Sequence, residues 1–172
     1  NIPDFRSGEK TFQLLYQASG RAGRSQKPGE VIIQSFSPDN SAIQYATMLE
    51  MKEYYKLILE EREELNYPPY SWLSKIEMVG KSKSYLSLIA QKFKQSLKGH
   101  FQGLEVLGPA PCYYEKVRNQ YRFQFIIKSS KSFDPNSKKL HKFVENNFLN
   151  QSFKINYNKC KVNIHRDPIN LN

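Results

Sequence analysis

Residues 72–98 read WLSKIEMVGKSKSYLSLIAQKFKQSLK, and the period of the apolar positions changes within them. From Trp72 to Val79 the chain alternates, with Trp72, Ser74, Ile76 and Met78 on one face, which is the period of a strand. From Ser82 to Lys98 the apolar residues Leu86, Ile89, Ala90, Phe93 and Leu97 recur at helical spacing. Downstream, Leu104 to Leu107 starts a second strand that Gly108-Pro109-Ala110-Pro111 is expected to interrupt. Tyr113 onward and Arg122 to Lys128 read as two strands joined near Arg118-Asn119-Gln120. Ser137 to Phe148 is helical, with Leu140, Phe143, Val144 and Phe148 inward, and Lys161 to His165 alternates once more. The order is β-α-β-β-α-β. This α+β pattern is the split βαβ or ferredoxin-like arrangement, with two helices on one face of an antiparallel sheet.

Upstream, Asn66-Tyr67-Pro68-Pro69-Tyr70 stops a helix, because proline lacks the amide hydrogen and disfavours helical backbone before it. The charge changes sign at the same place. Residues 1–70 carry 8 Lys/Arg against 10 Asp/Glu, whereas residues 71–172 carry 18 against 6. The net charge of +10 therefore belongs to the second part and points to a phosphate-rich partner there. Before the break, GEKTFQLLYQASG is a helix with Phe12, Leu15, Tyr16 and Ala18 in register, ended by Gly20. GRAGRSQKPG is a loop, Val31 to Phe36 a buried β-branched strand, and Ala42 to Leu65 mostly helical. The divisions expected are 1–40, 41–70 and 71–172.

Composition excludes several classes. With 39% hydrophobic and 13% aromatic residues the chain is not intrinsically disordered. No apolar run approaches the roughly 18 residues of a membrane helix, and no leader of basic then apolar residues opens it. The start at Asn1 reads like the interior of a longer protein. Cys112 and Cys160 lack any paired spacing, and His100, His141 and His165 are scattered. No metal site is expected, and reduced thiols suit a cytosolic protein.

Gln17-Ala18-Ser19-Gly20-Arg21-Ala22-Gly23-Arg24 carries the chemistry. The pattern Q-x-x-G-R-x-G-R resembles motif VI of superfamily 2 helicases. A helix followed by glycine turns can aim two guanidinium forks at a triphosphate, whose geometry Arg matches bidentately. Three further stretches narrow the resemblance to the bacterial primosomal helicases of the PriA family. LEEREELNYPPY is similar to the family's ERRELxYPP junction, VLGPAPCYYEKVRNQYRFQFIIK to its GPAPAP and YRWQ segment, and VNIHRDPINL to its terminal VDVDPxxL. Phe123 stands where the family often has Trp, and Arg166 where it has an apolar or small residue.

The resemblance implies the end of a RecA-like second helicase lobe in residues 1–40, a linking helix in 41–70 and a DNA-binding ferredoxin-like domain in 71–172. It implies an ATP-dependent 3′→5′ DNA helicase that recognises stalled or branched forks and starts primosome assembly for replication restart. The cofactor is ATP with Mg²⁺; the family's zinc-binding cysteines lie upstream of this stretch, as do its phosphate loop and DEAH-like box. Arg24 becomes the arginine finger and Arg21 its neighbour, with Gln17, Gly20 and Gly23 completing the nucleotide motif. This piece alone is not expected to hydrolyse ATP. Implied partners are branched and single-stranded DNA, single-stranded-DNA-binding protein and other primosome proteins. From the residues themselves, Lys116, Arg118, Tyr121 and Arg122 are candidates for DNA contact, with Phe123 and Phe125 inward and Arg122 and Gln124 outward. Lys138, His141 and Lys142 are candidates for an acidic partner peptide. The rival reading is a non-enzymatic RNA- or protein-binding module of ribosomal-protein type, which leaves residues 17–24 without a purpose.

Overall fold

A computed structural model describes residues 4–22, 30–149, 159–168 and 171. They form two compact units, one comprising Phe5–Glu64 and the other running from Leu65 onward and taking in Asp4.

The Phe5–Glu64 unit is helical, with α1 (Ser7–Ala22), α2 (Ser41–Thr47) and α3 (Met51–Glu64). Glu9 and Arg21 sit at the ends of α1 where the helix dipole favours each charge. Asn40 caps α2, its side chain accepting from the Ala42 amide at 3.0 Å. The core is aromatic: Phe12 stacks on Tyr54 with ring centroids 4.1 Å apart, and Ala42, Ala46 and Ile58 close around them. Burial, reinforced by Glu61 and Glu9, pushes the Tyr54 hydroxyl up to about 12.

Two expectations for this region are corrected. Gly20 does not end its helix: it keeps ordinary helical backbone, and α1 continues to Ala22. The segment from Ala42 to Leu65 is mostly helical as expected, and it holds two helices because Leu49 adopts φ +58 and turns the chain between them. Val31 to Phe36 is not a buried strand. Val31, Ile32 and Phe36 are exposed, and the described part of this unit offers no strand with which to pair. A β-branched run becomes a strand only beside a ladder partner.

The second unit holds β1 (Ser71–Gly80), α4 (Lys83–Ser96), β2 (Leu104–Val117), β3 (Gln120–Ser130), α5 (Lys138–Val144) and β4 (Lys161–Arg166). It is an α+β structure in the expected element order. The sheet order is β2-β3-β1-β4 with every neighbour antiparallel. Ser82 caps α4 by accepting from the Tyr85 amide, and buried Asp134 accepts from the amides of Lys139 and Leu140 to start α5. The helix expected over Ser137 to Phe148 loosens into a π turn at Glu145–Leu149, where the Asn147 side chain donates to Phe143 O. Gly108-Pro109-Ala110-Pro111 does not interrupt β2. A one-residue register shift between Leu107 and Ala110 absorbs it, and Gly108 is required there. Its φ is +106, and a Cβ would stand 2.6 Å from Gln124 O.

Period two sorts the central strands into two faces. Ile76, Met78, Phe123, Phe125 and Ile127 meet Leu86, Ala90 and Phe93 of α4 and Leu140, Phe143 and Val144 of α5. The opposite face carries Leu73, Lys75 and Glu77 from β1 and Gln124, Ile126 and Lys128 from β3, all buried as well. Placing Gln124 outward is thus corrected: it is fully buried on a second covered face. There Lys75 Nζ donates to Leu171 O at 3.0 Å, and Lys128 Nζ donates to Leu65 O at 2.8 Å while resting 4.5 Å from the Tyr67 ring centroid.

Candidate nucleic-acid interface

The β2–β3 hairpin turns through Arg118 and Asn119, whose φ values of +47 and +61 are both left-handed. Two such residues suit the two-residue hairpin turn that follows the twist of the strands. A long Arg side chain tolerates this backbone less readily than Gly, so the position displays a cation at a steric cost of roughly 1–2 kcal/mol. Lys116 pairs across the ladder with Tyr121, and its ammonium lies 5.0 Å from the Tyr121 ring centroid. Gly80 pairs with Tyr121 on the other side, which brings the start of α4 to the same end of the sheet. Lys81, Ser82, Lys83 and Ser84 line a shallow depression there against Tyr121 and Phe123. Gly80 lets the chain ahead of β4 pass close by, since a Cβ would meet Lys159 O at 2.5 Å.

The four hairpin candidates do not share one environment. Lys116 and Arg118 are exposed, and Tyr121 is half-buried against the helix-side core. Arg122 points to the opposite face, where its Nε donates to Glu77 Oε1 at 2.9 Å and its terminal nitrogen pairs with the same oxygen. Asn163 donates to Glu77 Oε2 at 3.2 Å, and the Cys112 thiol approaches Oε1 at 3.9 Å. Burial pushes the Glu77 carboxyl up, but the Arg122 and Asn163 hydrogen bonds and the Arg122 and Lys75 charges outweigh it and hold it below its ordinary value. Burial and the Glu77 charge push the Cys112 thiol up to about 11. Arg122 is thus the counter-ion of a buried carboxylate, and the cations displayed at the hairpin end are Lys116 and Arg118.

In α5, Leu140, Phe143 and Val144 face the core while Lys138 and Lys142 are exposed one turn apart and His141 is half-buried. In α1, Gln17, Gly20 and Arg21 lie on the exposed surface of its last turns, and Gly23 and Arg24 lie outside the described residues. Among the described residues no three His, Cys, Asp or Glu side chains converge, and no helix is long and apolar enough to cross a membrane. Two features escaped the sequence reading. Lys81 and Lys83 join the hairpin only through the β1–β3 register. Tyr113 and Tyr114, read as strand, are exposed, and two adjacent aromatics in one strand are the signal that alternation fails there.

Residues 63–169 match the family model described as the Primosomal protein N C-terminal domain. The chain is 39% identical over 129 residues to the replication restart protein PriA of Bacillus subtilis, covering 74% of this chain and 16% of that protein. It is 38% identical to the protein of that name from Chlamydia muridarum, covering 74% and 17%, and 37% identical to that from Synechocystis, covering 74% and 16%. The chain thus spans about a sixth of the length of these relatives. The end of its junction, its hairpin and its last strand fall inside the matched residues, and the chain belongs to the PriA family, whose C-terminal domain it carries.

Proposed function

We propose that the chain is the C-terminal part of an ATP-dependent 3′→5′ DNA helicase that acts at stalled or branched forks and starts primosome assembly for replication restart. The relatives named replication restart protein support this reading, as does the motif Q-x-x-G-R-x-G-R at residues 17–24. In it α1 belongs to the end of a RecA-like second lobe. Arg24, with Arg21 beside it, would meet the phosphates of ATP, which Mg²⁺ would accompany. The β-α-β-β-α-β unit is a ferredoxin-like DNA-binding domain, consistent with its sheet order of β2-β3-β1-β4. Lys138, His141 and Lys142 take the acidic tail of single-stranded-DNA-binding protein.

One observation carries the DNA-binding role. Of the six acidic residues in 71–172, Glu77, Glu105, Glu115, Asp134 and Asp167 are each engaged by protein groups. Little negative charge is left to compensate Lys81, Lys116 and Arg118 at the hairpin end, and phosphate is the ligand that does so. Lys116→Ala combined with Arg118→Gly, which keeps the left-handed turn, weakens forked-DNA binding irrespective of sequence. The slope of log affinity on log salt becomes shallower by roughly one to two units. Parental affinity with the parental slope removes these cations from the interface.

A further inference from the structure

The ladder between β2 and β3 hides a large irregularity. Pro111 pairs with Phe123 and Lys116 pairs with Tyr121, so four residues, Cys112 to Glu115, stand opposite Arg122 alone. A bulge of this kind re-aims side chains at a sheet edge, and β2 is an edge strand. Both ends of the bulge are tied down. Cys112 is fully buried against Glu77, and Glu115 pairs with Lys83 at the start of α4. Between these ties Tyr113 and Tyr114 are 59% and 61% exposed, with ring centroids 5.0 Å apart and planes at 88°. Water-exposed rings on an anchored bulge, two residues from Lys116 and four from Arg118, have no role in the core.

From this geometry we infer that Tyr113 and Tyr114 form a stacking platform for unpaired bases, making the hairpin end a single-stranded nucleic-acid site. This rests on the DNA-binding reading above and specifies the strand that the site takes. Ring faces stack on any base without regard to sequence, whereas in a duplex those faces are already stacked on neighbouring bases. Adjacent cations supply the phosphate contacts, and because the bulge that carries the rings is tied at both ends, less ordering entropy opposes association.

The test measures binding of the full chain to labelled oligo(dT), to an abasic strand of equal length and to a blunt duplex. Tyr113→Ala and Tyr114→Ala each weaken oligo(dT) binding roughly ten-fold and leave the abasic strand and the duplex unchanged, while the Phe variants bind as the parent does. Because both rings are exposed, the thermal midpoint stays at the parental value. An unchanged oligo(dT) affinity, or equal losses on the oligo(dT) and abasic strands, overturns the platform. If duplex binding persists with unchanged oligo(dT) affinity, the platform falls while the DNA-binding reading of the hairpin stands. A parent chain that binds none of the three removes the platform together with the DNA-binding reading.

Discussion

Gln124 and Phe125 are neighbours on one strand, both fully buried, and they face opposite sides of the sheet. Phe125 joins a continuous apolar layer with Ile76, Phe93 and Phe148, its ring centroid 5.9 Å from that of Phe148. Gln124 lies among Lys75, Glu77, Arg122 and Lys128, a layer held by hydrogen bonds and charge. Dispersion and water exclusion stabilise the first layer without regard to direction. The second contributes only as far as each polar atom finds a partner. One strand thus builds two interiors that fail in different ways.

The largest effect belongs to the apolar side. Phe125→Ala leaves a cavity between the sheet and both helices and destabilises the domain by about 3–5 kcal/mol in urea unfolding. A loss under about 1 kcal/mol means that the helix layer closes over the gap left in the apolar layer. On the polar side, Arg122→Ala strips the main partner from Glu77. A fully buried pair broken this way costs about 3–5 kcal/mol, and partial exposure of Arg122 brings the expected loss to about 2 kcal/mol. The pH dependence separates this loss from simple truncation. The folded Glu77 carboxyl titrates below its unfolded value of about 4.3, so its contribution is present above that pH and is lost as pH falls through the folded value. Arg122→Ala loses this acid-side slope, whereas Phe125→Ala retains it. Urea midpoints measured between pH 3 and pH 7 check both statements.

The apolar layer was legible because period is a property of single residues. Leu86, Ala90 and Phe93 announce a helix face, and Phe123 and Phe125 a strand face, wherever the partners come from. The polar layer was not legible, because Glu77, Arg122 and Asn163 are 45, 41 and 86 residues apart pairwise and alternation alone assigns such residues to solvent. The candidate site shows the same division. Lys116, Arg118 and Tyr121 stand close in sequence and could be named as candidates together. Lys81 reaches them through register, and Tyr113 and Tyr114 through a bulge that Gly108-Pro109-Ala110-Pro111 masked as a broken strand. Val31 to Phe36 shows the converse error, a strand-forming composition with no described strand beside it.

The smallest effect has the opposite sign. Both side-chain atoms of Gln124, Oε1 and Nε2, are buried without a hydrogen-bond partner. The residue opposite it on β1 is Glu77, whose oxygens are already taken by Arg122 and Asn163, and on β2 it is Ala110, which has no polar side-chain atom to offer. An amide desolvated without compensation opposes folding by about 1–3 kcal/mol, and an unbranched side chain of similar length fills the same space without that penalty. Gln124→Met is therefore expected to stabilise the domain by about 1 kcal/mol, the remainder being offset by imperfect repacking. It appears as a higher urea midpoint at an unchanged slope, because the surface exposed on unfolding is nearly the same. A lower midpoint would show that the amide holds a buried water between the two atoms, since only a filled site makes the polar side chain the better one.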